Sequence, residues 1–284
     1  MAGTGGPWGL TLSGGGVLGA AHLGVLQALE AWGLQPGVEV GSSAGGLVVG
    51  GRAAGLTTDE LTAFFGAVCR DPWRYALGEL VSFTRGIFSH TLLGLATLRP
   101  MLSRLLEHAP RPRVLQWPAT AAVMAVDIGS PGGLVRIQGG TDFGSSLDAL
   151  QATSALPGLF GALRDGEHLY VDGGLQDDVP VAAARALGAT AVLAVNVGGS
   201  LPLPTLGAHV SLGELVARAV AYGTATLDAD ANPERGPLLT LQPTLPAGAG
   251  LLSFGDFEAL VAAGYDAAQQ QKAAITAFVA AAAT

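Results

Sequence analysis

Trp8-Gly9-Leu10-Thr11-Leu12-Ser13-Gly14-Gly15-Gly16-Val17-Leu18-Gly19 is the stretch that decides the fold. Trp8–Leu12 reads as a short strand, and the glycine run that follows ends it. Residues 20–32 then set Leu23, Leu26, Leu29 and Trp32 on one stripe at helical spacing, so the glycines occupy a strand-to-helix turn. Unobstructed N–H groups at such a turn, together with the positive end of the helix dipole, favour an anion or a developing oxyanion. The same unit recurs at once. Residues 38–40 form a second strand, Gly41-Ser42-Ser43-Ala44-Gly45 a second small-residue turn, and residues 44–54 a second helix ending at Gly55.

Outward from this pair the alternation continues. Thr57-Thr58-Asp59-Glu60 is a capping box that opens a helix running to about Cys69. Strands are expected over 120–126, 134–138, 169–171, 191–197 and 238–241, with helices over 146–155, 181–187, 212–227 and 257–282. The pattern predicts an α/β fold, a three-layer α/β/α sandwich around a mostly parallel central sheet. Residues 200–208 and 243–250 read as Pro/Gly surface loops. With no polar linker and no internal repeat, residues 1–284 are expected to form one domain. Within it, residues 71–108 stand out as a helical insert with the character of a lid. The cluster Phe64, Phe65, Trp73, Tyr75, Phe83 and Phe88 has two readings, an acyl-chain pocket or lid, or the plainer one of core packing.

A mean hydropathy of +0.45 raises the question of membrane spans. The charge-free stretches 1–29, 186–213 and 236–255 are each broken, by Gly14-Gly15-Gly16 or by Pro202 and Pro204 for example. None offers about 20 continuous apolar helix formers. With 22 acidic against 14 basic residues and no basic run longer than Arg111-Pro112-Arg113, nothing marks a nucleic-acid surface. Cys69 is the single cysteine, which excludes an internal disulfide, and no Cys/His spacing suggests a metal site. The N-terminus lacks the basic residues and leucine-rich block of a secretion signal. The cytoplasm is the expected location, with peripheral membrane contact should the substrate be a lipid.

Three motifs carry chemistry. Gly41-Ser42-Ser43-Ala44-Gly45 is a G-x-S-x-G turn, whose small flanking residues permit the strained geometry that lifts a serine Oγ out of a sheet. Read blandly, Ser43 is a helix N-cap. Asp172, followed by Gly173-Gly174, closes an apolar strand at the edge where ligand sites gather in such sheets. The bland reading is an aspartate that starts a turn. Gly14, Gly16 and Gly19 also satisfy G-x-G-x-x-G, and Glu39 lies 20 residues beyond Gly19, where a dinucleotide-binding fold places its ribose-binding acid. That alternative stays open on these residues. None of His22, His90, His108, His168 and His209 stands in a setting that marks it as catalytic.

In their order, the three motifs resemble the patatin-like phospholipase family, whose members combine a glycine-rich oxyanion loop, a G-x-S-x-G serine and a D-G-G aspartate. The stretches Ala21-His22-Leu23-Gly24-Val25-Leu26, residues 152–160 with Ala155-Leu156-Pro157-Gly158, and residues 170–174 followed by Val179-Pro180 look like the family too. The likeness covers about residues 8–200 and extends to 257–268. It implies Ser43 as nucleophile, Asp172 as its base, and the backbone amides of Gly14, Gly15 and Gly16 as the oxyanion hole, with Gly41 and Gly45 shaping the nucleophile turn. It implies hydrolysis of phospholipid or other lipid esters through an acyl-enzyme, releasing fatty acid, with no metal or cofactor. A catalytically silent binding module is the other outcome, and the resemblance leaves the oligomeric state open.

The chain departs from the family twice. Leu18 stands where Arg or Lys is usual, which favours a neutral lipid or simple ester over a phosphate head group. Asp178, preceded by Asp177, stands where asparagine is frequent. Acids there suit the N-terminus of the next helix, or else raise the proton affinity of Asp172 through local negative charge.

Overall fold

A computed structural model describes residues 8–72, 74, 95–129, 133–157, 159–198, 236–251 and 253–283. The first strand, β1 (Trp8–Leu12), is buried along its whole length, and helix α1 (Ala20–Ala31) follows it after a 3-10 turn over Gly16–Gly19. The second unit is β2 (Val38–Ser42) and α2 (Ser43–Ala53). The capping box opens α3 (Thr58–Arg70), with the Thr57 side chain accepting from the Glu60 N–H. Next come α4 (Leu95–Leu105), β3 (Ala121–Asp127), β4 (Gly133–Gln138) and α5 (Ser146–Thr153). The remainder is β5 (Leu163–Asp165), β6 (His168–Asp172), α6 (Val181–Ala186), β7 (Ala191–Val195), β8 (Leu238–Leu241), α7 (Phe257–Gln270) and α8 (Lys272–Ala282).

The fold is mixed α/β around one eight-stranded, mostly parallel sheet in the order β5-β6-β3-β2-β1-β7-β8, with β4 paired to β3. β8, β7, β1, β2 and β3 run parallel, whereas β4, β6 and β5 join by antiparallel pairing. Leu10, Leu12, Leu193 and Val195 are fully buried, as a sheet covered on both faces requires.

The register at β3 decides where the site falls. β4 occupies one edge of β3 over Ala122–Asp127, so β2 and β6 must share the other. β2 pairs up to Ser42 opposite Met124, and β6, running the opposite way, ends with Asp172 opposite Ala125. The two strands therefore meet C-terminus to C-terminus, one residue of β3 apart, a rise of about 3.3 Å.

Helix α7 lies across α1 at very close range. A Cβ on Gly24 would fall on the Val261 carbonyl oxygen, and one on Gly264 on that of Ala21. Leu23, Leu26 and Leu260 fill the contact. The single C-terminal helix expected from sequence is broken at Gln271 into α7 and α8, and the three-residue strand β5 is too short to leave a sequence signal. The expected helix over 212–227 and loop over 200–208 lie outside the described residues, as does most of the 71–108 insert, including Trp73, Tyr75, Phe83 and Phe88. Among the described residues no helix is long and apolar enough to cross a membrane.

Gly24→Ala forces a methyl against backbone that cannot swing aside, and is expected to destabilise the chain by about 1–3 kcal/mol in urea unfolding. A change within about 0.5 kcal/mol, as for an ordinary surface substitution, contradicts the close crossing.

Candidate active site

The glycine turn after β1 is held from several directions. The Ser13 carbonyl accepts from His22 Nε2 at 2.8 Å and from the Gly45 N–H at 3.1 Å. Ser13 Oγ accepts from the Val197 N–H at 3.0 Å and donates to the Gly14 carbonyl at 2.9 Å. His22 is buried, and desolvation lowers its pKa to about 4, so a neutral imidazole serves as a strut. Gly15 and Gly16 take φ of 139° and 58°, the second with the Leu251 carbonyl where a Cβ would stand; only glycine fits there. The Gly14 N–H donates to Asp178 Oδ1 at 3.0 Å. Those of Gly15 and Gly16 have no acceptor among the described residues.

Ser43 opens α2 with φ 51°, the sole non-glycine residue of positive φ among the described residues. This left-handed conformation costs about 1–3 kcal/mol and persists only where the surroundings enforce it. Here they do. A Cβ on Gly41 would strike the Gly45 carbonyl, and one on Gly45 the Leu12 carbonyl, so both flanking glycines are required by close packing. The Ser43 N–H donates to Thr153 Oγ1 at 3.2 Å, and Ser43 Oγ donates to Asp172 Oδ2 at 2.6 Å.

Asp172 is 1% exposed. Its Oδ1 accepts the Gly174 N–H at 2.8 Å, and its own N–H donates to the Ala155 carbonyl at 3.1 Å. Burial drives its pKa up to about 7; the bonds from Ser43 and Gly174 oppose the rise, and the neighbouring Asp178 adds to it. One turn at the end of α5 thus touches both residues, through Thr153 on Ser43 and Ala155 on Asp172. Sequence reasoning passed over Thr153, although it lies inside the family-like stretch 152–160.

Ser43, Asp172, Asp178 and Gly14, Gly15 and Gly16 all line one cavity of about 510 Å³ at the C-terminal edge of the parallel strands. Its depth is apolar, formed by Leu23, Val48, Phe65, Val68, Leu98 and Met101. Size and lining suit an organic ligand with a long apolar part. Phe65 reaches this wall and packs edge-to-face on Phe64, so the described part of the aromatic cluster belongs to both cavity and core. Cys69 also lines it, but burial pushes its thiol up to about 11 and keeps it protonated. Leu18 is fully buried and contributes nothing to the lining.

The dinucleotide alternative finds no support in these positions. Glu39 stands at the opening of β2, the opposite end from the glycine turn, with both carboxylate oxygens 3.0 Å from Arg52, which also contacts Glu30 at 2.6 Å. A ribose-binding acid belongs at the carboxyl edge of the sheet. Gly19 is required for packing, since a Cβ there would lie 2.6 Å from Ala44 Cβ.

The fold is thus a mixed α/β sheet with a buried carboxylate hydrogen-bonded to a strained serine over an apolar cavity. The chain belongs to the patatin-like phospholipase family, whose model matches residues 10–185. Lysophospholipase NTE1 of Saccharomyces cerevisiae is 28% identical over 198 residues, 68% of this chain and 11% of that protein. Lysophospholipase NTE1 of Mycosarcoma maydis is 30% identical over 200 residues, 67% of this chain and 10% of that protein. An uncharacterized NTE family protein of Mycobacterium tuberculosis is 29% identical over 224 residues, 78% of this chain and 58% of that protein. The chain therefore spans about a tenth of the two fungal relatives and 58% of the mycobacterial one. Among solved structures, VipD from Legionella pneumophila is similar with a TM-score of 0.47 and 15% identity, over 93% of this chain and 66% of that one.

The buried carboxyl has a consequence for stability. Its pKa of about 7 stands above the ordinary 3.8, so between those values the folded chain keeps a proton that the unfolded chain has lost. This contribution is present at low pH and is lost as pH rises through about 7. Asp172→Asn, which cannot ionise, is expected to be more stable than the natural chain above pH 7 and to lose that advantage toward pH 4. Denaturant midpoints across this range check it, and a gap that widens on acidification contradicts it.

Proposed function

We propose that the chain is a lipid acyl hydrolase in which Ser43 and Asp172 act as a catalytic dyad. The observation that carries this reading is the 2.6 Å bond from Ser43 Oγ to Asp172 Oδ2 at one end of an apolar cavity. Family membership and relatives named lysophospholipases support a lipid ester as the substrate.

Ser43 Oγ attacks the ester carbonyl as its proton passes to Asp172, and the carbonyl π bond becomes an oxyanion. The Gly15 and Gly16 N–H groups receive that charge, while the Gly14 amide stays with Asp178. Each such donor contributes about 2.7–4 kcal/mol to the transition state at comparable sites. The intermediate collapses, the C–O bond to the alcohol breaks, and the departing oxygen takes the proton from Asp172. Water, giving its proton to the same carboxylate, then attacks the acyl-Ser43 ester; collapse frees the fatty acid and returns the proton to Ser43 Oγ. A pKa of about 7 suits a base that must accept and release a proton near neutrality. Side chains, backbone and water supply every step.

Ser43→Ala and Asp172→Asn are each expected to lower the turnover of a medium-chain p-nitrophenyl ester by about a thousandfold or more with folding intact, since neither half of such a dyad works alone. Retained turnover in either variant removes the dyad.

The lining bears on head-group choice. Among the described residues it contains the carboxylates Asp172 and Asp178 and no Arg, Lys or His, and Leu18 is withdrawn into the core. An anionic phosphate therefore meets like charge, with no basic side chain among the described lining residues to neutralise it. Turnover of uncharged acyl esters is expected to exceed that of anionic phospholipids with the same acyl chain by about tenfold or more in kcat/KM. A preference for the anionic substrates overturns this assignment.

A further inference from the structure

Asp178 lies outside the proposed dyad, yet it bonds to the glycine turn and its charge acts on Asp172. It is nine-tenths buried on the short turn between Asp172-Gly173-Gly174 and α6. Its Oδ1 holds the Gly14 N–H at 3.0 Å across 164 residues of chain. The same oxygen lies 3.1 Å from where a Gly174 Cβ would stand, and Asp172 Oδ1 lies 3.2 Å from that point, so the two carboxylates share one small space. A residue that only opened the next helix would face the N-terminus of α6, but this one faces the cavity.

Two physical consequences follow. The Asp178 contact fixes the plane that carries the Gly14 N–H, and Ser13 Oγ on the Gly14 carbonyl holds the next plane, which carries the Gly15 N–H; the two contacts together anchor the start of the loop. The nearby negative charge of Asp178 disfavours ionisation of Asp172. Among the described residues, the groups that face Asp172 are few. They are the Ser43 hydroxyl from α2, the Gly174 N–H on its own turn, and Asp178 from the turn before α6. β3 presents Ala125, the end of α5 the Ala155 carbonyl, and the glycine loop bare backbone; the nearest ionisable group on α1, His22, binds the Ser13 carbonyl.

We propose that Asp178 is a positioning residue of this site, locking the Gly14 peptide so that the next two amides form the oxyanion hole and setting, by its charge, the pH at which Asp172 works as a base. This rests on the hydrolase reading above and deepens it by assigning a role to a carboxylate outside the dyad.

Two substitutions separate the roles. Asparagine keeps an oxygen that accepts the Gly14 N–H but removes the charge, whereas alanine removes both. In p-nitrophenyl ester hydrolysis from pH 5 to 9, the acidic limb of kcat/KM for Asp178→Asn is expected to move down by about one pH unit, with the high-pH plateau within a few-fold of the natural chain. Asp178→Ala is expected to show the same displacement and a plateau at least about tenfold lower, carried by kcat and not KM. An acidic limb unmoved in Asp178→Asn, or an Asp178→Ala plateau equal to that of the natural chain, overturns the proposal. Ser43→Ala assayed beside them keeps the two failures distinct. Undiminished turnover in that variant removes the hydrolase reading, whereas its loss together with an unmoved limb removes only the role of Asp178.

Discussion

One edge of β3 organises the site. Because β4 covers the other edge over Ala122–Asp127, β2 and the antiparallel β6 are laid end to end, Ser42 opposite Met124 and Asp172 opposite Ala125. Two residues 129 apart in sequence thereby face each other at 2.6 Å, with β3 as the ruler that sets their spacing. In a wholly parallel sheet the two C-terminal residues would instead stand side by side, about 4.8 Å or more apart on separate strands. The antiparallel insertion after β3 is thus what brings the acid to the serine.

The surroundings preserve that juxtaposition at some cost. Ser43 holds a left-handed backbone that the close approach of Gly41 and Gly45 to neighbouring backbone allows. Asp172 is buried where its charged form is disfavoured, and only two hydrogen bonds offset the desolvation. The end of α5 grips both residues through Thr153 and Ala155. Strain and burial of this kind are tolerable because the leucine- and valine-rich sheet and the close α1–α7 crossing supply the stability elsewhere.

Much of the molecule was legible in the sequence, for a physical reason. A strand-to-helix turn with no room for side chains needs glycine at particular positions, so Gly14, Gly15, Gly16, Gly41, Gly45 and Gly173-Gly174 announced themselves locally. Strand and helix periodicity likewise marked β1, β2, β3, β7 and most helices. What stayed hidden was relational. Nothing local says that Asp178 turns toward Gly14 and not toward α6, that Thr153 accepts the Ser43 N–H, or that Glu39 is spent on Arg52. The break at Gln271 escaped because an alanine-rich run has helical propensity on both sides of it.

We propose Ser43 Oγ, activated by Asp172, as the nucleophile of an apolar-lined acyl site. The most direct test is reaction of the natural chain with a long-chain alkyl fluorophosphonate, followed by peptide mapping of the phosphonate by mass spectrometry. A single stoichiometric adduct on Ser43 is expected, absent from Ser43→Ala and strongly slowed in Asp172→Asn. An unreacted Ser43, or an adduct placed instead on Cys69 in the same cavity, would contradict it.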